Sequence, residues 1–259
     1  MKFNPGFEIE PLVEPMGFKY GKDVFGPEVE NRTLEAIRKS LKDPNCDGPE
    51  TVYSIAMDCG KKEHQELLNN MHLLYGVVTY AAGQLGDEPI RSQGHIHSVS
   101  PYCNMSTPEV YEIWQGRAII YMQETAKDNP GRCYAVEAGP GEVVIVPPGW
   151  AHATISADPE QPLTFGAWCD REYGFDYFDV RAHKGLAWFP VIKEDGGFEW
   201  HRNENYEESE LIIKGPESYE DLAIEKGKSI YQLFEENPDR FLYVPKPQLK
   251  NDVWEKFVP

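Results

Sequence analysis

The 259-residue chain predicts an all-β core, arranged as a sandwich or barrel, with short helices flanking it. Two observations predict this. From Leu74 to about Ile192 the sequence breaks into short β-rich runs separated by glycine and proline. These runs recur at even spacing without long helical stretches between them, a texture that favours a closed antiparallel architecture over a βαβ sheet. The length suffices for one well-cored domain with extensions or for two small ones.

Three regions follow in order. Residues 1–74 are mixed and read as an N-terminal arm whose helices pack on the barrel. Leu34, Ile37 and Leu41 stand at helical spacing behind Thr33, a candidate N-cap, and 62–74 reads as a second helix. Residues 75–200 form the predicted barrel, with strands expected at 75–80, 110–114, 118–122, 143–146 and 163–165. Gln115-Gly116, Asn129-Pro130-Gly131 and Gly139-Pro140-Gly141 mark its turns. Residues 201–259 form an acidic C-terminal extension, preceded by a hairpin candidate at Gly196-Gly197. Within the extension, 218–234 reads as one or two short helices closed by Asn237-Pro238, a packing appendage or part of an oligomer contact.

The charge balance, 25 Lys and Arg against 43 Asp and Glu, gives a net −18. Such a field repels phosphate backbones and anionic membranes, so neither nucleic acid nor a membrane surface is an expected partner. Screening over about 8–10 Å still leaves local groups in control of a pocket, so a small anionic substrate is not excluded. No apolar run approaches the ~20 residues that cross a bilayer. The first residues have no apolar h-region, and the odd set of five scattered cysteines reads as reduced thiols. The expected location is the cytoplasm.

Three segments carry the chemistry. In Gly94-His95-Ile96-His97, strand geometry sends both imidazoles to one face. Two neutral imidazoles converging there suit Zn, Fe, Mn or Ni. In the 141–152 segment a buried run ends at Pro147-Pro148-Gly149, and His152 follows directly. Either piece alone also describes an ordinary strand or turn with a satisfied histidine. Their joint occurrence in one predicted barrel points to a ligand set. In the 109–116 segment, alternation puts Glu109, Tyr111 and Ile113 on one face and Val110, Glu112 and Trp114 on the other. A carboxylate buried beside Tyr and Ile demands a partner, and a metal is such a partner. Glu112 is the rival ligand, its plain reading being a solvent-facing acid.

These residues resemble the cupin family. His95-x-His97 with Glu109, six residues before Gly116, is similar to the first cupin motif, and Gly141, Pro147, Gly149 and His152 match the second. The gap to Gly116 selects Glu109 over Glu112. Within cupins, the closest resemblance is to the cupin-type glucose-6-phosphate isomerases of archaea and some bacteria. It is carried by Ser92-Gln93-Gly94-His95-x-His97, Glu109-x-Tyr111, the run from Pro147-Pro148 through Trp150-Ala151-His152, and Gly174-Phe175-Asp176-Tyr177. Gly17-Phe18-Lys19-Tyr20-Gly21 also looks like that family's N-terminal region, so the resemblance covers roughly residues 15–205. The chain departs from it in the eleven residues between His97 and Glu109, which read as an inserted loop at the pocket mouth. It departs also at Pro89 and Ser156, where the general motif has Gly and Asn, and at Ser92, where Thr is expected. Phe175 stands where the resemblance leads one to expect a substrate-contacting His.

The resemblance implies a cupin double-stranded β-helix, a jelly-roll barrel, with one divalent metal per subunit held by His95, His97, Glu109 and His152. Fe(II) is the implied ion, and the ligand types also admit Mn, Ni or Zn. It further implies a homodimer and a sugar-phosphate substrate, interconverted between glucose 6-phosphate and fructose 6-phosphate. Glu109 is then the candidate proton carrier or a permanent ligand, and Tyr111 its catalytic companion. Tyr111 and Tyr177 are candidates for the sugar hydroxyls, and Ser92 with the Gly94 backbone N–H for the phosphate. Arg91 is left out because alternation points it away. Two readings from other classes remain: an Fe(II)-dependent cupin oxygenase using the same ligand set, and a non-catalytic sugar-binding cupin.

Overall fold

The structure, a computed structural model, describes residues 3–172 and 174–259. Its centre is a pair of facing sheets. The larger has six strands in the order Val143–Val146, Glu109–Gln115, Leu163–Asp170, Leu73–Tyr80, Thr51–Ala56 and Glu30–Thr33, every neighbour antiparallel. The smaller has Ala151–Ser156, Ala118–Gln123, Cys133–Ala138 and Leu211–Lys214, the last joined in parallel. Between residues 109 and 170 the chain passes repeatedly from one sheet to the other, with Ala118–Gln123 and Cys133–Ala138 following one another as a hairpin in the smaller sheet. That winding makes the expected cupin double-stranded β-helix.

Period-two alternation decides what each strand buries. Tyr111, Ile113, Ile120, Met122, Val136, Val144, Val146, Phe165 and Cys169 point between the sheets and form one apolar cluster. The intervening positions point outward, yet they are not solvated. Val110, Trp114, Ile145 and Trp168 join a second cluster with Phe7 and Phe18 and with Ile230, Tyr231, Phe234 and Phe241 of the C-terminal segment. Trp168 lies 4.9 Å from the Phe234 ring and 5.5 Å from Phe241. A third cluster, with Val180, Leu186 and Tyr206, covers the smaller sheet's outer face through Ile119, Tyr121, Ala153 and Ile155.

Several expected elements are present and some end elsewhere. Leu34–Ile37 is helical and continues as a 3-10 turn over Arg38–Ser40; Thr33 caps it in extended conformation without a side-chain bond. The second helix opens as a 3-10 turn over Lys62–His64, continues as Gln65–Asn70 and stops short of its expected end, because His72 takes a left-handed φ of 55° and Leu73 already begins a strand. Gly196 and Gly197, both at φ 79°, turn the expected hairpin between Trp188–Ile192 and Phe198–Arg202. Ile230–Glu236 starts at a capping box made by Ser229 and Gln232. Among the described residues no helix is long and apolar enough to cross a membrane.

Glu112 corrects the expectation of a solvent-facing acid. It is fully buried on the outer face of the larger sheet, and its Oε1 accepts the Ile230 N–H at 2.8 Å. The C-terminal segment covers that face, which local pattern cannot show. Burial pushes the Glu112 carboxyl up to about 8, against smaller opposing effects of the Ile230 N–H and the Trp114 indole.

Candidate metal centre

The Ile96–His97 strand is only two residues long and pairs with Phe175–Asp176. His95 is fixed instead by reciprocal backbone bonds with His152, N to O at 3.0 and 2.9 Å, at the edge of the smaller sheet. His152 stands on Ala151–Ser156 directly after the Pro147–Trp150 turn, and Glu109 opens its strand on the facing sheet. Ligand atoms of His95, His97, Glu109 and His152 thus lie within 4.8 Å of one another, all four groups buried or nearly so.

Glu109 Oε2 is the hub, 3.1 Å from His97 Nε2, 3.2 Å from His152 Nε2, and accepting the Tyr111 hydroxyl at 2.8 Å. The Nδ1 atoms of His97 and His152 face the carbonyls of Thr107 and Trp150 at 2.9 and 3.0 Å. A neutral imidazole has one N–H and one lone pair, so an Nδ1–H given to a carbonyl leaves Nε2 as a lone-pair donor. Those lone pairs then meet the Glu109 oxygen, acceptor against acceptor, unless a cation or a proton lies between. His95 Nε2 is buried without a hydrogen-bond partner. Burial, together with the neighbouring His152 and His97, holds His95 well below the usual imidazole range, hence neutral. Burial works against the Glu109 charge, but positive charge at the facing His152 and His97 nitrogens outweighs it and holds the carboxyl well below its ordinary value. Adjacent ligands sharing an ion with bonds of about 2.1 Å stand roughly 3.0–3.4 Å apart, matching the Glu109–His spacings. Three imidazoles and one carboxylate, one nitrogen unpartnered, fit a divalent ion.

A cavity opens in front of this cluster, and His95, Glu109, Tyr111, Ser92 and Tyr177 are among the residues lining it. The Ser92 hydroxyl, at the cavity wall, accepts the Thr154 N–H at 3.1 Å. Gly94 is placed differently from expectation. It is absent from the lining; its φ is +85°, and an added Cβ would lie 2.8 Å from Leu186. Its missing side chain makes room for Leu186. The 98–108 loop likewise lies away from the cavity lining. It packs behind the histidines, Tyr102 stacking on His72 at 3.7 Å, the Ser106 hydroxyl accepting the Gly149 N–H and the Thr107 carbonyl facing His97. Arg91 is buried in a pair with Glu88, away from the site.

The structure adds residues to the site. Tyr53, Tyr80, Gln93 and Thr154 line the cavity, and the Cys169 thiol reaches Glu109 Oε1 at 3.5 Å. Thr154 was legible, lying two residues beyond His152 on the same strand. Cys169 required knowing that the expected 163–165 strand runs on to Asp170. The strand bearing Tyr53 carried no distinct signal.

The family model for glucose-6-phosphate isomerase matches residues 32–209. The chain belongs to the glucose-6-phosphate isomerase family. The matched span contains every residue of the cluster and ends before the helices of the C-terminal segment. Among relatives, the glucose-6-phosphate isomerase of Thermococcus litoralis is 29% identical over 163 residues, 62% of this chain and 74% of its own. That of Pyrococcus furiosus is 33% identical over 124 residues, 48% of this chain and 59% of its own. The putative glucose-6-phosphate isomerase 1 of Rhizobium meliloti is 26% identical over 133 residues, 51% and 56% of the two chains. The chain thus spans less than two thirds of the length of most family relatives cited. Among solved structures, an oxalate oxidase overlays with TM-score 0.38 at 13% identity, over 54% of this chain and 63% of its own. A Bacillus subtilis oxalate decarboxylase overlays at 0.36 and 14%, over 59% and 30%.

Proposed function

We propose that this chain is a metal-dependent aldose–ketose isomerase that interconverts glucose 6-phosphate and fructose 6-phosphate. The observation that carries the proposal is the convergence of His95, His97, His152 and Glu109 at the head of a cavity that also presents hydroxyls. Membership of the family supports the substrate pair. The metal ligands would be those four residues, and Fe(II) is the proposed ion by resemblance. A bound divalent ion supplies polarisation of neighbouring sugar oxygens and stabilises negative charge developing on them.

The remaining work falls to the side chains. Carbonyls of Thr107 and Trp150 set the tautomers of His97 and His152. Glu109 carries the proton between C1 and C2, one of its oxygens being held by Tyr111. Tyr111 and Tyr177 bind sugar hydroxyls, and Ser92 takes the phosphate end. Apolar groups of Ile55, Val78, Phe165 and Phe175 exclude water from the rest of the wall. That same apolar wall favours the second reading, an oxygenase acting on a less hydroxylated substrate. A homodimer and a cytoplasmic location complete the proposal; five free thiols support the latter.

The test is turnover of fructose 6-phosphate by chelator-stripped protein reloaded anaerobically with Fe(II), Mn(II), Ni(II) or Zn(II). Metal-dependent turnover, lost in His95→Ala and His152→Ala, is expected. Hydrogen from deuterated solvent entering product at C1 or C2 would identify proton transfer rather than hydride shift. Metal binding without turnover would sink the sugar-phosphate assignment, and substrate-dependent oxygen consumption would then favour the second reading.

A further inference from the structure

The Glu109 carboxylate has two differently used oxygens. Oε2 faces both His97 and His152 and accepts the Tyr111 hydroxyl. Oε1 faces the other way, and its partner is the Cys169 thiol at 3.5 Å. Cys169 is 2% exposed and comes from the Leu163–Asp170 strand, which pairs directly with the strand carrying Glu109. Alternation along it sends Leu163, Phe165, Ala167 and Cys169 inward, so the thiol is delivered to the carboxylate by the sheet itself.

We propose that Cys169 is a positioning residue for the metal site: its S–H holds Glu109 Oε1 and so presents Oε2 alone to the ion. A carboxylate free to rotate about its last side-chain torsion can offer either oxygen, or both, to a cation. One donor fixed on Oε1 removes that freedom and makes the one-oxygen arrangement the resting one. The thiol is suited to this. It donates weakly and is compact enough for a wall that also holds Tyr111 and Phe165.

This inference rests on the metal reading of the four ligands, though not on the identity of the substrate. The test compares Cys169→Val, which is apolar, somewhat bulkier and lacks the donor, with Cys169→Ser, which keeps a donor. Co(II) is the probe, added anaerobically to stripped protein, with its visible absorption spectrum and its affinity by competition with a chelator as readouts. Loss of an outer hydrogen bond to a metal ligand lowers affinity by about tenfold at the weaker end of such effects. Cys169→Val is expected to bind Co(II) about tenfold more weakly, with altered bands, whereas Cys169→Ser retains affinity and bands near those of the parent. Equal Tm values for the metal-free parent and Val variant would separate this from simple loss of packing. Co(II) binding and spectra unchanged in Cys169→Val would overturn the proposal while leaving the site intact. No Co(II) binding by the parent protein would overturn the metal reading, and the proposal with it.

Discussion

Glu112 makes the sharpest prediction because its environment is one-sided. Its Oε1 accepts the Ile230 N–H, while its Oε2 has no hydrogen-bond partner, and Tyr75 and Trp114 stand beside it. Neither neighbour carries positive charge. Burial therefore raises the carboxyl from 4.5 to about 8. The native state keeps a proton there that the unfolded chain has already lost in this interval. Stability from the neutral acid is full below about 4.5 and is lost as pH rises through about 8. Across that gap, at about 1.4 kcal/mol per pH unit, the loss has a ceiling of roughly 5 kcal/mol. Glu112→Gln retains the acceptor for Ile230 and cannot ionise. Parent and variant should melt close together at pH 5. At pH 8.5 the variant should melt higher by an amount on the order of 10 °C, given about 2–4 °C per kcal/mol for chains of this size. Differential scanning calorimetry of the metal-free proteins from pH 5 to 9 measures this. Parallel Tm curves over that range would refute the reasoning, and with it the view that an ionised Glu112 opposes docking of the C-terminal segment.

Three further outcomes follow from the same geometry. Glu88→Ala leaves the Arg91 guanidinium, 3% exposed, without its carboxylate, and should lower stability by about 3–5 kcal/mol in urea titration. Gly116→Ala forces a Cβ to 2.7 Å from the Pro162 carbonyl at φ +75°, so a loss of about 1–3 kcal/mol is expected, read by the denaturation midpoint. Arg32 is the third case. No lysine or arginine lines the cavity among the described residues, and the Arg32 charge is felt by both Tyr53 and Tyr177 in its wall. Arg32→Gln should raise KM for a sugar phosphate about tenfold, the worth of one charge-assisted bond, with kcat nearly unchanged. An unaltered KM would remove Arg32 from the substrate's surroundings.

What could be read from the sequence was what depends on neighbours along the chain. The 143–146 strand matches its expected limits, and 118–123 misses by one residue, because branched and aromatic runs end at glycine and proline turns. The four clustered residues lie in short segments, so the three histidines were recoverable one segment at a time, while Glu109 was picked out by the family resemblance. The rest depended on distant partners. Thr51–Ala56 is nearly all buried, with no polar alternation to announce a strand, and it joins the sheet through Leu73–Tyr80. The expected loop at the mouth came from an accurate count of eleven residues, but the count says nothing of His72, whose ring holds the loop behind the site.

The choice between Glu109 and Glu112 shows where local pattern loses its power. Alternation separates two faces of a strand but assigns neither to the interior, and it usually does so only because one face is polar. Here both faces of Glu109–Gln115 are buried, the inner by the barrel and the outer by residues 118 positions away. The pattern Glu-Val-Tyr-Glu-Ile-Trp is therefore symmetric to any argument from hydrophobicity. Two different physical solutions answer the two carboxylates. Glu109 is held ionised, with burial outweighed by positive charge at the facing imidazole nitrogens. Glu112 has a single backbone donor and tends to stay neutral. The donors around each group, rather than its depth, distinguish a carboxylate suited to a cation from one suited to a proton, and those donors are supplied by the fold.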